Sequence, residues 1–208
     1  MKTLLRGFGR QLLVGATILL AFTAVLGIGY PVLVWGMSRT VAESADGAVV
    51  YDAAGCPVGS ALIGVDLEPA AGQPDPFLHG RPSGDPAVSG ASNLGPNSPQ
   101  LRDLVNERRA TIAAREGVDP AAVPADAVTG SGSGLDPNIS PAYAALQIPR
   151  LARTNGMTVE QVRAIVDRNT AGRQLGVLGA PRVNVRQVNL DLGHRAPACS
   201  AQSEPRGR

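Results

Sequence analysis

Hydrophobic and polar positions divide the chain into two regimes. No charged residue occurs between 11 and 38, and the apolar core of that stretch, residues 12–34, is 23 residues long. At ~1.5 Å per residue such a run spans about 35 Å, enough to cross a bilayer with some tilt. Tyr30 and Trp35 lie near its C-terminal end, where amphipathic rings suit the headgroup level. The pattern predicts a transmembrane helix over 12–35, preceded by a short N-terminus at 1–11. A cleaved leader is the competing reading, because Ala42-Glu43-Ser44 resembles a small-x-small cleavage site. Signal h-regions are only about 7–15 residues long, so the uncleaved anchor is preferred.

Beyond the apolar run the pattern breaks into shorter pieces. Val49, Val50 and Tyr51, then residues 61–65, read as strands. Residues 67–97 are dense in Pro, Gly, Ser, Asp and Asn and read as a long structured connection. Ser98 followed by Pro99 marks a helix start, with Leu101, Leu104, Val105 and Ile112 as its apolar stripe and Gly117 as its stop. Ser140 and Pro141 open a second helix, which Pro149 is expected to kink. Thr158 with Gln161 forms a capping box for a third, lined by Val159, Val162, Ile165 and Val166. Residues 183–192 read as a strand with a phase slip near Arg186 and Gln187. The chain turns polar and Pro-rich from Gly193, which reads as a frayed tail over 193–208. The fold class expected is one N-terminal transmembrane helix plus a small mixed α/β (α+β) domain over 36–192.

Composition narrows the function. Only Tyr51, Phe77 and Tyr143 are aromatic beyond residue 36, so the core must be built from Val, Leu, Ile and Ala. Lys2, Arg6 and Arg10 precede the apolar run; the remainder carries 16 basic and 17 acidic residues. That near-neutral balance, without a basic block, gives no footprint for nucleic acid. By the positive-inside rule the N-terminus is cytoplasmic and the domain extracytoplasmic. Cys56 and Cys199 either pair in an oxidising compartment or stand as two separate thiols.

Candidate chemistry is sparse. Residues 89–96 and 131–141 are Gly/Ser-rich, and Ser131, Gly132, Ser133 and Gly134 are a candidate nest of backbone N–H groups for an anion. The alternative is turn chemistry that organises two connections, with Asp136 and Asn138 fixing turns. Asp136, Asn138 and Ser140 alternate in the manner of oxygen ligands, but the Gly and distal Glu of a calcium loop are missing, so no metal is expected. His79 reads as a turn or surface residue, His194 as part of the tail, and no G-x-S-x-G occurs. An independent enzyme is not expected. Asn93, Leu94, Asp136 and Asn138 in the two loops, with Gly15 and Trp35 on the membrane helix, are candidate partner contacts.

Four blocks carry a family resemblance: GRPS (80–83), SGASNLGP (89–96), GSGSGLDPNISPAYA (130–144) and GVLGAPRVNVRQVNLDL (176–192). In their order and spacing after one membrane helix, they resemble the C subunit of the bacterial Kdp potassium-transporting P-type ATPase. The resemblance extends from the anchor to Leu192. It implies a non-pumping accessory subunit in the cell membrane. Its partners would be a potassium-translocating A subunit, an ATP-hydrolysing B subunit and a small F subunit. It further implies a role in assembly, and a catalytic-chaperone effect that raises the ATP affinity of the B subunit. No cofactor would be bound tightly by this chain; ATP would act through the B subunit. Gln147 matches a glutamine implicated in that effect. Asn138 departs from the His expected there in many relatives. The reading from another class is a membrane-anchored extracytoplasmic binding protein for an anionic ligand.

Overall fold

The computed structural model describes residues 2–83 and 85–194. It separates into two compact units, Met1–Ala48 and Val49–Arg208. The first is one helical run: α1 (Lys2–Ala24), a π-helical segment (Val25–Gly29), α2 (Tyr30–Ser38), a 3-10 turn (Arg39–Val41) and α3 (Ala42–Ala45). Within it, Gly7–Ala45 is long and apolar enough to cross a membrane. The π segment sits just before Pro31. Proline has no N–H to donate and its ring crowds the carbonyl four residues back, so a widened turn upstream relieves both problems. The N–H of Tyr30 accordingly donates five residues back, to the carbonyl of Val25. Thr17 and Thr23 donate their hydroxyls to the carbonyls of Leu13 and Leu19, at 2.8 Å each. This satisfies polar groups that have no other partner among apolar neighbours.

The second unit begins with an antiparallel hairpin, β1 (Val49–Tyr51) and β2 (Pro57–Ser60). Its turn is held by the Asp52 carboxylate, which accepts from the N–H groups of Ala54 and Cys56. The strand expected over 61–65 does not form. Strand β2 lies earlier, and Gly64 turns inward to donate its N–H to the carbonyl of Leu135. A Cβ on Gly64 would run into the Asp136 carbonyl, so only glycine allows this approach.

Helix α4 (Pro99–Glu116) starts and stops where the sequence indicates. Ser98 Oγ accepts from the N–H of Leu101, and Gly117 closes the helix with φ 70°. The short helix α5 (Ala125–Val128) and strand β3 (Asn138–Ile139) lead into α6 (Pro141–Thr154), which Ser140 caps. Pro149 does not interrupt α6. Ala145, whose carbonyl loses its partner, and Pro149 both occupy exposed positions, so water can replace the missing bond. Helix α7 (Val159–Arg168) carries the full Thr158/Gln161 capping box.

Strands β4 (Thr170–Ala171) and β5 (Arg182–Asn184) complete a three-stranded antiparallel sheet of order β3-β5-β4. The strand expected over 183–192 is corrected by α8 (Val185–Asp191). Asn184 Oδ1 accepts from the N–H of Gln187 and starts this helix, and Val185, Val188 and Asn189 then recur at helical spacing on its buried side. The phase slip in the apolar pattern was the helix itself. The core joins Leu78, Tyr143, Leu151, Val162, Val183 and Val188, all fully buried. His194, expected in the tail, is held: its N–H donates to the carbonyl of Asn189 and its ring lies 4.6 Å from that of Phe77. Cys199 lies outside the described residues, so the pairing question at Cys56 does too.

Candidate functional site

One segment, residues 75–80, crosses the domain interior without regular structure and is held by side chains from two helices. Helix α6 supplies Gln147 and Arg150. They lie on the same face as Tyr143 and Leu151 because residues three and four apart share a side of a helix. Gln147 is 0% exposed. Its Oε1 accepts from the N–H of His79 at 2.9 Å, and its Nε2 donates to the carbonyl of His79 at 3.1 Å. Helix α8 supplies Asn189, which repeats the contact one residue earlier. Its Oδ1 accepts from the N–H of Leu78 at 2.7 Å and its Nδ2 donates to the Leu78 carbonyl at 2.9 Å.

Arg150 is the hub. Its Nε donates to both carboxylate oxygens of Glu116, at 3.0 and 3.2 Å. Its Nη1 donates to the carbonyls of Asp75 and Phe77, and its Nη2 to Gln147 Oε1. Glu116, on α4, also accepts from Arg115 Nε at 2.7 Å, and Arg115 Nη2 reaches the Tyr143 hydroxyl at 2.9 Å. Buried charges persist only when paired and hydrogen-bonded, and each of these is.

His79 is neither a surface nor a simple turn residue. Its Nδ1 lies 3.0 Å from Asp66 Oδ1 and its Nε2 lies 2.6 Å from Asp75 Oδ2. Two carboxylates bracket one ring, and only a doubly protonated imidazole can donate to both. Burial pushes the Asp66 carboxyl upward, but the bonds and charge of His79, the Gly80 N–H and the Arg115 charge outweigh it and hold Asp66 below its ordinary value. Burial lowers Arg115, but Tyr143 and Glu116 raise it on balance. Burial raises Tyr143 despite Arg115, favouring the neutral phenol.

The outer edge of this network forms one wall of a cleft of about 270 Å³, where Asp66, Gly80, Arg115 and Tyr143 face Glu107 and Arg108. A second cleft, of about 400 Å³, is lined by Arg81, Asp126, Asp136, Asn138 and Arg182 among others.

The two Gly/Ser-rich loops meet each other. The N–H of Gly90 donates to the carbonyl of Ser133 at 2.8 Å, as does the Ser89 hydroxyl at 3.0 Å. Gly134 has φ 69°, and a Cβ there would strike the Gly90 carbonyl. Ser131 is buried, Ser131 and Ser133 share a hydroxyl contact at 3.3 Å, and Gly132 and Ser133 are exposed. Part of the loop's donor capacity is already used: the Gly134 N–H bonds the Ser131 carbonyl and the Leu135 N–H bonds Ser133 Oγ. No hydrogen bond among the described residues joins this loop to Gln147. Asp136 accepts from Arg81 Nη1 at 3.0 Å and from the Asn138 N–H at 3.0 Å. Asn93 is exposed with φ 53°, and Leu94 is half-buried. In the first unit, Gly15 has open space about it, while Trp35 is exposed with the Arg39 guanidinium 5.9 Å from its ring centroid.

Sequence reasoning missed His79, Asp75, Glu116, Arg150 and Asn189. Arg150 left a signal: a charge in the middle of the apolar face Ala144, Gln147, Ile148 and Leu151 implies a buried partner. For Glu116 and Asn189 the partners are 34 and 111 residues apart in sequence, beyond any local pattern, whereas His79 lies only 4 and 13 residues from Asp75 and Asp66.

Comparison with known proteins agrees with the four sequence blocks. The family model for the c chain of K+-transporting ATPase matches residues 12–194. The potassium-transporting ATPase KdpC subunit of Kineococcus radiotolerans is 46% identical over 193 residues, covering 90% of this chain and 95% of that protein. Those of Beijerinckia indica and Caulobacter sp. strain K31 are 45% and 44% identical, covering 86% and 85% of this chain. The match takes in the apolar helix, both Gly/Ser loops and the helices that hold residues 75–80, and the chain therefore belongs to the KdpC family, the C chains of K+-transporting ATPases.

Proposed function

We propose that the domain from Val49 onward lies outside the cytoplasm and acts there in assembling and stabilising a potassium uptake pump. The observation that carries this is the charge about the apolar helix. Lys2, Arg6 and Arg10 precede it, whereas the one basic residue soon after it, Arg39, is paired to Asp46 at 3.0 and 3.2 Å. Three basic residues before the span against one soon after it favour a cytoplasmic N-terminus.

The partners of this reading are the potassium-translocating A, ATP-hydrolysing B and small F subunits. The membrane helix packs beside them and the domain covers the potassium entrance, where its near-zero charge repels an approaching cation little. Gln147 supports an indirect role toward ATP. Its side chain is fully buried and its amide is spent on His79, Arg150 and Tyr143. A raised ATP affinity of the B subunit then arises from preference for one conformation of the pump, with no tightly bound cofactor on this chain.

The experiment is purification of the complex with and without this chain. The reading expects co-purification with a P-type ATPase, an increased KM for ATP when the chain is absent, and loss of growth at micromolar potassium on its deletion. Unchanged KM and unchanged growth would defeat it.

A further inference from the structure

All ten residues from 171 to 180 are exposed, and they include the two most exposed large apolar side chains among the described residues of the second unit. Leu175 is 90% exposed, Val177 72% and Leu178 56%. Three aliphatic side chains at the tip of one loop are an apolar patch that a free surface does not require. The loop is nevertheless built, not slack. Gln174 and Leu178 exchange both backbone hydrogen bonds at 2.9 Å, closing a tight turn. Arg173 Nη1 clasps the carbonyl of Gly179 at 2.7 Å. Leu175 is held at φ 52°, a left-handed conformation costly for a branched side chain and kept only where surrounding bonds impose it.

Charge identifies the occupant. Arg173 and Arg182 stand at the neck of this knob, and neither makes an ion pair among the described residues. A second copy meeting it knob to knob would bring these arginines together, which like charge disfavours. A lipid interface is met by Trp and Tyr, and residues 171–182 contain no aromatic. The neck continues into the 400 Å³ cleft, whose lining includes Gly179, Ala180, Pro181 and Arg182 beside Asp136 and Asn138. We propose that Leu175, Val177 and Leu178 form an apolar knob that docks into a socket on a partner subunit, aliphatic at its floor and rimmed by carboxylates that pair with Arg173 and Arg182. This rests on the assembly reading above and gives it a contact surface.

The test uses the whole complex, purified through a tag on this chain. A photo-crosslinking residue at position 175 or 177 is expected to join one partner polypeptide, while the same residue at exposed position 88 does not. Leu175→Asp and Val177→Asp should each lower co-purification about tenfold, and the conservative Leu175→Met should retain it. Far-UV circular dichroism of the isolated variants should match the wild type, since these side chains are outside the core. Adducts only with lipid or with a second copy of this chain would overturn the proposal, as would unchanged co-purification of both Asp variants alongside a wild-type control that assembles. If the wild-type chain itself recovers no ATPase, the assembly reading fails and the knob fails with it.

Discussion

Gln147 and Asn189, from different helices, grip neighbouring peptide units, His79 and Leu78, with the same two-point amide contact. Each side chain imitates a strand partner for a segment that has none. Gln147→Met keeps the volume but leaves the His79 N–H and carbonyl buried without partners. Urea unfolding should show a loss of roughly 2–4 kcal/mol, and Asn189→Leu a similar one. Because both grip one segment, the double variant should lose less than the sum. Additive losses would mean that residues 75–80 are not one mechanical unit.

Asp66 gives the domain an acid limb. Its folded-state value is depressed, so its contribution is present above the ordinary value of 3.8 and is lost as pH falls through the folded value. Asp66→Asn should therefore lower stability near neutral pH and flatten the decline below pH 4. Its side chain is 40% exposed, so solvent screening holds the effect to about 1 kcal/mol. Thermal midpoints across pH 3–7 would show this; a variant curve parallel to the wild type would remove Asp66 from the account.

Arg150 and Glu116 are both buried, and Arg150 also bonds the backbone of the 75–80 segment. Glu116→Leu leaves the guanidinium without its main counter-charge and should cost about 3–5 kcal/mol, read from the urea midpoint. A loss under about 1 kcal/mol would show that Asp75 alone, 3.3 Å from Nη1, satisfies Arg150.

Asn184 tests the helix that the sequence concealed. Its Oδ1 caps α8 and its Nδ2 donates to the Ala61 carbonyl at 3.0 Å. Asn184→Ala should cost about 1–2 kcal/mol, and amide exchange should quicken first in residues 187–191. Unaltered exchange there would contradict the capping role.

These cases mark what was legible in the chain. Ser98, Ser140 and Thr158 revealed their helices because a cap and the N–H it bonds lie three residues apart. Residues 183–192 misled because a short apolar run fits both a bulged strand and a helix; Asn184 followed by Gln187 was the overlooked start signal. His79 looked like a loop residue because its carboxylates, Asp66 and Asp75, sit in the same Pro/Gly-rich stretch, whose folding back is set by distant amides. The Gly/Ser blocks that carried the family resemblance prove to hold two connections against each other through Gly90, Ser133 and Gly134.

The most direct test of the account is the side of the membrane on which the second unit lies. A site-specific protease sequence inserted after Ala87, in the exposed connection before α4, can be challenged in intact spheroplasts and after lysis. The account predicts cleavage in intact spheroplasts to the same extent as in lysed ones. Protection until lysis would place the domain in the cytoplasm and contradict it.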